Sequence, residues 1–331
     1  MSSSSNLLYG IGRMTNPIQT YEPNLKGRDF VCGDLHGSFS VLANLLNNLQ
    51  FDYENDRMFS VGDLVDRGPE SQLCLSLINT DWFHPVLANH EQMMIHAVHG
   101  GRMGQYWVQN GGKWGLVAAA ELHSNQGPIS DEAAELGELI EIAQTLPYLI
   151  TIKMEDGRKF HIIHAEMMPG EDTITDEYLE DEVNVFRQAT KDVPGDAFCW
   201  SRNLFSSFRQ VHLTKTPHEK LVRAALHNRS VRMFNDELSH IISGHTIMTH
   251  PITVAGQTNI DTGAYASYPY EGNYGKVVEP PEWAALTCVE LKTWKFYQAT
   301  PTEFREVEPI TISTQDIDKE RFKSSVHPDQ Q

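Results

Sequence analysis

A chain of 331 residues with 40% hydrophobic and 21% charged side chains can bury a sizeable core, so it needs neither disulfide nor metal staples merely to fold. Its 26 Lys and Arg against 44 Asp and Glu leave a formal net charge of −18. That balance argues against a protein whose main role is to grip a nucleic-acid backbone or an anionic bilayer.

Taken in chain order, Met1 to Gly27 is Ser-, Asn- and Pro-punctuated and reads as a flexible N-terminal tail without a secretory pattern. Arg28 to Gly33 is a short apolar run, a strand. Phe39, Leu42, Leu45, Leu46 and Leu49 then fall at helical spacing, Met58 to Val61 is apolar again, and Pro69 opens a second helix. A third apolar run, Pro85 to Ala88, leads into a helix over Glu91 to His99. This β-α-β-α grammar implies parallel strands joined by helical crossovers. Residues 118–148 read as a helical insertion, and the Trp107 and Trp114 that precede it read as packing residues. Further on, Lys159 to Ile163, His240 to Ser243, Ile252 to Ala255, Trp283 to Glu290 and Thr293 to Gln298 read as strands, the last two as a hairpin. Ala264 to Pro281 reads as a long Tyr-, Gly- and Pro-rich loop, and residues 314–331 as a polar C-terminal tail. The expectation is one α/β domain over residues 28–313 with a more antiparallel second half.

Twelve of the excess negative charges sit in two windows without a basic residue. Five acids lie between Asp131 and Glu141, and seven between Glu171 and Glu182. Both read as solvated faces. The cysteines, Cys32, Cys74, Cys199 and Cys288, form no C-x-x-C pair and read as reduced, packed thiols of a cytoplasmic protein. No apolar run approaches the roughly eighteen residues that a membrane span needs.

Chemistry concentrates where the first three strands end. The clusters are Gly33-Asp34-Leu35-His36-Gly37, then Gly62-Asp63-Leu64-Val65-Asp66-Arg67-Gly68, then Asn89-His90-Glu91. Asp34, Asp63 and Asn89 are 29 and 26 residues apart, about one β-α-β unit each, so adjacent parallel strands would deliver them to one sheet edge. His164 and His245 each follow a strand-like run and add two imidazoles at strand ends. Two Asp, one Asn and three His can fill two metal shells with Asp63 shared, and the mixture of imidazole and carboxylate suits Mn²⁺, Fe or Zn²⁺ better than Ca²⁺ or Mg²⁺. Any one of the 15 His, taken alone, is more readily an ordinary hydrogen-bonded residue. The ordered, Gly-flanked set is not.

These segments resemble the GDxHG, GDxxDRG and GNHE signatures of the calcineurin-like metallophosphoesterases, in particular the phosphoprotein phosphatase family. Gly244-His245-Thr246, Asn259-Ile260-Asp261-Thr262-Gly263 and Trp107-Val108-Gln109-Asn110-Gly111-Gly112 are similar to elements of that family's bacterial, lambda-phosphatase-like branch. The resemblance implies two mixed β-sheets packed as a central sandwich flanked by helices. It implies a first metal on Asp34, His36 and Asp63, and a second on Asp63, Asn89, His164 and His245, most simply Mn²⁺. It further implies His90 as general acid oriented by Asp66, Arg67 and Arg202 as phosphate clamps, and in-line attack by a hydroxide bridging the two metals. The expected activity is a protein phosphatase for Ser/Thr, with Tyr as a further substrate, acting on phosphorylated proteins or peptides. A symmetrical dinucleoside-polyphosphate hydrolase shares most of the same signatures, and a silent metal-binding module is the non-enzymatic alternative. Ala88 in place of the signature Gly, Leu87 in place of an Arg and Glu166 in place of a small residue depart from the pattern. The last puts an extra carboxylate near the site, where it would repel an anionic substrate or position a water.

Overall fold

The computed structural model describes residues 17–100, 103–124, 127–167, 174–182, 185, 196–226, 237–271 and 277–325. Its strands, in chain order, are β1 (Ile18–Tyr21), β2 (Asp29–Cys32), β3 (Arg57–Ser60), β4 (Phe83–Pro85), β5 (Leu149–Lys153), β6 (Lys159–Ile162) and β7 (His240–Ser243). They continue with β8 (Ile252–Val254), β9 (Gln257–Asn259), β10 (Tyr270–Glu271), β11 (Val277–Val278), β12 (Leu286–Glu290), β13 (Lys295–Ala299), β14 (Phe304–Val307) and β15 (Ile310–Ile312). One sheet runs β1-β5-β6-β7-β9-β8-β15 and a second runs β14-β13-β12-β2-β3-β4, while β10 and β11 form a separate two-stranded ribbon. Both large sheets are mixed. In the second, β2-β3-β4 are parallel. In the first, β6-β7-β9 are parallel.

The two sheets face each other across an apolar layer that includes Val31 and Phe59 from one and Ile162 and Ile242 from the other. Strand β2 is buried on both faces, Val31 towards this layer and Phe30 and Cys32 towards the helices. Such a strand reads as an unbroken apolar run, which is why it was legible. Helices α1 (Phe39–Asn48), α2 (Ser71–Ser76) and α3 (Asn89–Val98) cross between or follow the parallel strands, and α4 (Gly104–Gln109), α5 (Leu116–Ser124) and α6 (Asp131–Ala143) lie beyond them. Helix α1 turns Val41, Leu42, Leu45 and Leu46 inward at the spacing read from the sequence. The predicted sandwich flanked by helices is the observed architecture.

Several boundaries differ from expectation. Ile18–Tyr21 is not tail but an edge strand in parallel register with Leu149–Lys153, and four residues with a half-exposed pattern carry too little periodicity to announce it. Residues 1–16 of the expected N-terminal tail lie outside the described residues. At the other end Thr314–Ser325 is helical where a polar tail was expected, with Ile317 buried in a small core beside Leu221 and Val222. The third strand ends at Pro85 rather than Ala88. Among its described residues the 118–148 segment is helical over α5 and α6, and it buries Ala118, Leu136, Leu139 and Ile140 in the main core. The Tyr-rich stretch from 264 to 281 contains a 3-10 turn at Ala264–Ser267 and the β10-β11 ribbon. All four cysteines are buried, and burial pushes the Cys32 thiol up to about 12. Among the described residues no helix is long and apolar enough to cross a membrane.

Asp131 to Glu141 does form a largely solvated face, although Glu135 accepts a hydrogen bond from Gln72 at 2.8 Å. The second acidic window departs from that reading at Asp176. This half-buried carboxylate faces His161 Nε2 at 3.0 Å and accepts bonds from the Ser239 N–H at 2.6 Å and the Ser239 hydroxyl at 2.7 Å. Glu171 and Asp172 lie outside the described residues.

Candidate metal centre

Each sheet contributes the carboxyl ends of three parallel strands, and these ends converge. From β2-β3-β4 come Asp34, His36, Asp63, Asn89 and His90, and from β6-β7-β9 come His164, His245 and Asp261. All are buried. The turns that aim them are unusual for side-chain-bearing residues. His36, Asp63, Asp66, Arg67 and His245 all have positive φ, between 44° and 74°, a region that costs on the order of 1–3 kcal/mol per residue and persists where surrounding structure enforces it. Enforcement is visible in the packing. A Cβ on Gly244 would collide with Asp34 Oδ1, so only glycine lets the β7 turn close on that carboxylate, and the His245 N–H then donates to both Asp34 oxygens at 3.2 and 3.1 Å. The buried Glu91 carboxylate accepts from the N–H groups of Asp63 at 3.1 Å and Leu64 at 2.8 Å and so fixes the turn after β3. Burial, with Asp63 nearby, pushes Glu91 up to about 8 against those donations.

The donor atoms meet in a way that ordinary hydrogen bonding does not explain. The His36 Nδ1–H donates to Val65 O at 2.9 Å, which leaves Nε2 buried without a partner and 3.3 Å from Asp63 Oδ2. The His164 Nδ1–H donates to Val61 O at 2.7 Å, so its Nε2 lone pair faces Asn89 Oδ1 at 2.7 Å, His245 Nδ1 at 3.1 Å and Asp63 Oδ2 at 3.5 Å. With its proton committed at Nδ1, His164 has none to share at Nε2, and a cation among these atoms would relieve the repulsion of their lone pairs. Burial holds His36 and His245 well below the ordinary imidazole value and His164 at about 4, so all three are neutral, the form that ligates metal. Burial, with Asp261 and Asp63 close by, pushes Asp34 up, the shift that desolvated, clustered carboxylates undergo. Divalent cations fit this donor set, and two groups, His36-Asp63-His90 and Asp63-His164-His245, have the necessary proximity. Asp63 belongs to both.

The remaining residues named from sequence sit at the same place. The His90 Nδ1–H donates to Asp66 Oδ2 at 2.6 Å, and its Nε2 faces Arg67 Nη2 at 3.1 Å and Asp63 Oδ2 at 3.9 Å. The Arg67 guanidinium lies over the Tyr265 ring, which meets the His36 ring at right angles. Arg202 donates from Nη1 to His245 O at 2.6 Å. Every residue expected at the site is therefore in one cluster.

Two things differ from the sequence reading. Glu166 is not directed at substrate or water. Its carboxylate accepts from the Ser201 hydroxyl at 2.7 Å, the Leu204 N–H at 2.8 Å and the Phe205 N–H at 3.2 Å, and it thereby anchors the loop that presents Arg202. Trp107 and Trp114 do more than pack, because both indole N–H groups donate to Asp66 Oδ1, at 2.9 and 2.8 Å. Reasoning from sequence read the two indoles as packing and gave Glu91, though named in its cluster, no role of its own; the only signal for the indoles was that they flank Asn110-Gly111-Gly112.

Buried neutral imidazoles and carboxylates able to hold divalent metal, with two guanidinium groups beside them, define a metal-assisted hydrolase of an anionic ester. The family model described as calcineurin-like phosphoesterase matches residues 30–248, and the chain belongs to that family of phosphoester hydrolases. Serine/threonine-protein phosphatase 1 of Salmonella typhimurium (strain LT2) is 28% identical over 235 residues, covering 71% of this chain and 86% of that protein. Serine/threonine-protein phosphatase 2 of Escherichia coli (strain K12) is 35% identical over 154 residues, 46% of this chain and 65% of that protein. The symmetrical bis(5'-nucleosyl)-tetraphosphatase of Aromatoleum aromaticum is 29% identical over 143 residues, 43% of this chain and 45% of that protein. A crystal structure described as a "putative diadenosine tetraphosphatase" superposes with a TM-score of 0.50 at 18% identity, covering 86% of this chain and 98% of its own, which is a likeness of fold.

Proposed function

We propose that the protein is a phosphomonoesterase acting on phosphorylated serine and threonine in proteins or peptides. The observation that carries the choice is coverage. The Salmonella protein phosphatases align over 71% and 72% of this chain and 86% and 88% of their own length, whereas the dinucleoside tetraphosphatases align over 43–48% of the chain and about half of theirs.

In this reading Asp34, His36 and Asp63 hold one divalent cation, and Asp63, Asn89, His164 and His245 hold a second, with Mn²⁺ the best match to the donor chemistry. When bound, such a pair makes water acidic enough to supply a nucleophile near neutral pH and offsets the charge on the phosphoryl oxygens. Arg67 and Arg202 grip those oxygens, since guanidinium forks match their geometry. Turning to the phosphate takes the Arg67 fork off His90 Nε2, and Nε2 then carries the proton that neutralises the departing alkoxide. Asp66 keeps His90 in the tautomer and orientation for that step, in which water oxygen bonds to phosphorus as the ester oxygen leaves with its electron pair.

The test is a comparison of turnover on a phosphoserine peptide and on diadenosine tetraphosphate, with one Mn²⁺-loaded preparation and an EDTA-treated control. Preference for the peptide, lost on chelation and restored by Mn²⁺, is expected. A strong preference for the dinucleotide overturns the protein-phosphatase reading in favour of the tetraphosphatase one.

A further inference from the structure

We propose that Trp107 and Trp114 are positioning residues for proton donation, their two indole N–H groups fixing the Asp66 carboxylate and through it the His90 ring. The proposal rests on the general-acid reading of His90 given above.

Asp66 is wholly buried, and its donors divide cleanly between its two oxygens. Oδ1 accepts from Trp107 Nε1 at 2.9 Å and Trp114 Nε1 at 2.8 Å, and Oδ2 accepts from His90 Nδ1 at 2.6 Å. An indole nitrogen can only donate, so two of them on one oxygen require an acceptor there and oppose a carboxylic O–H at that atom. With Oδ1 committed, rotation of the carboxylate is blocked and Oδ2 is left to His90. That in turn fixes the proton on Nδ1 and points Nε2 at the reaction site. Neutral donors suit this task because they anchor the carboxylate without cancelling the charge that must stabilise an imidazolium.

The chain is built to bring the indoles there. The two rings meet edge to face, 6.0 Å apart at 82°. Gly111, at φ +115°, lies so close to Arg67 that a Cβ would stand 2.5 Å from the Arg67 nitrogen, and a Cβ on Gly112 would overlap the Trp107 ring. Asn110-Gly111-Gly112 is thus the hinge that lays α4 and the following turn flat against the backbone of Asp66 and Arg67. Those two residues are themselves left-handed, at φ +74° and +68°, and the contact with Gly111 helps to hold them so. The sequence distance from Asp66, 41 residues to Trp107 and 48 to Trp114, is what makes the role invisible without the fold.

The experiment compares Trp114→Phe with His90→Asn, because Trp114 is only partly buried and phenylalanine keeps an aromatic ring while removing the N–H. Each is assayed on a phosphoserine peptide, whose leaving alkoxide needs a proton, and on p-nitrophenyl phosphate, whose leaving group does not. General-acid assistance amounts to about 10²–10⁴ in rate, so loss of one of the two indole donors is expected to lower peptide kcat by about tenfold and aryl kcat by less than about threefold. In parallel, the His90 Nδ1–H resonance in the metal-free protein is expected to move upfield or broaden in Trp114→Phe. Equal losses on both substrates, or an unchanged resonance, overturn the positioning role while a selective loss in His90→Asn leaves the general-acid reading standing. Equal losses in His90→Asn itself overturn that reading and this proposal together. A Trp107→Phe variant with wild-type metal content and circular dichroism provides the second measurement, with the same selectivity expected.

Discussion

Replacing Glu166 by alanine is expected to destabilise the protein by about 3 kcal/mol and to weaken phosphate binding. The magnitude follows from what the carboxylate satisfies. It accepts from the Leu204 and Phe205 N–H groups, both on buried residues, and from the half-buried Ser201 hydroxyl. An unsatisfied buried donor costs about 1–3 kcal/mol, so two backbone N–H groups at the lower to middle part of that range give about 3 kcal/mol, with the hydroxyl free to turn to water. Part of the gain is already offset in the wild type, because burial pushes the Glu166 carboxyl up. The functional consequence follows from the loop. Residues 201–205 carry Arg202, whose guanidinium bonds to His245 O, and a loosened loop loses the alignment of one fork. A charge-assisted contact is worth about 1.5–3 kcal/mol, which corresponds to about 10- to 150-fold in kcat/KM, expressed mainly in KM. Urea denaturation of metal-free protein and steady-state kinetics of the loaded enzyme measure the two effects. A stability loss under about 1 kcal/mol, or a fall in kcat with KM unchanged, would refute the anchoring role.

Other expectations are independent of Glu166. Burial lowers His240 from 6.5 to about 4, and burial followed by the Arg57 charge lowers His84 to about 4. Both rings are neutral when folded and bind protons more readily when unfolded, so the stability they contribute is full above pH 6.5 and is lost as pH falls towards 4. A shift of this size amounts to about 3 kcal/mol per ring at most, and a His240→Gln variant should show a shallower fall in urea stability between pH 7 and pH 4.5. Parallel falls in wild type and variant would contradict it. Gly111→Ala forces a side chain into φ +115° and against the Arg67 nitrogen, and is expected to cost at least about 2 kcal/mol and lower activity on all phosphate esters. Wild-type melting and kinetics for that variant would show that the close approach is dispensable.

What the sequence disclosed and what it hid separate along physical lines. Asp34, His36, Asp63, Asn89, His164 and His245 were legible because each ends a buried parallel strand, where an apolar run stops abruptly at ligand-type residues. The glycine at Gly244, which admits the Asp34 carboxylate, is part of that signal. Of the strands not read from sequence, which include the buried, interior β5 and β9, three lie at edges of the two large sheets: β1, β14 and β15. They are edge or near-edge elements of three or four residues with half-exposed patterns, too short for alternation to emerge. The C-terminal helix was hidden because a single buried residue, Ile317, anchors its described part among polar neighbours. Polar networks were the least legible of all. Nothing local to Glu166, Asp176 or Trp114 reveals that their partners lie 35, 63 and 48 residues away. A carboxylate in an acidic stretch is read as solvated, and a tryptophan as packing, until the fold supplies the other half of the bond.

The account depends most on Asp63 as the carboxylate shared by two cation sites, its Oδ2 lying 3.3 Å from His36 Nε2 and 3.5 Å from His164 Nε2. Metal analysis of wild type and Asp63→Asn after equilibration with Mn²⁺ and gel filtration tests this directly. Two ions per wild-type chain, and none or one weakly held in the variant with its phosphatase activity lost, are expected. Undiminished stoichiometry in Asp63→Asn, or a single ion in fully active wild type, would contradict the shared two-metal centre.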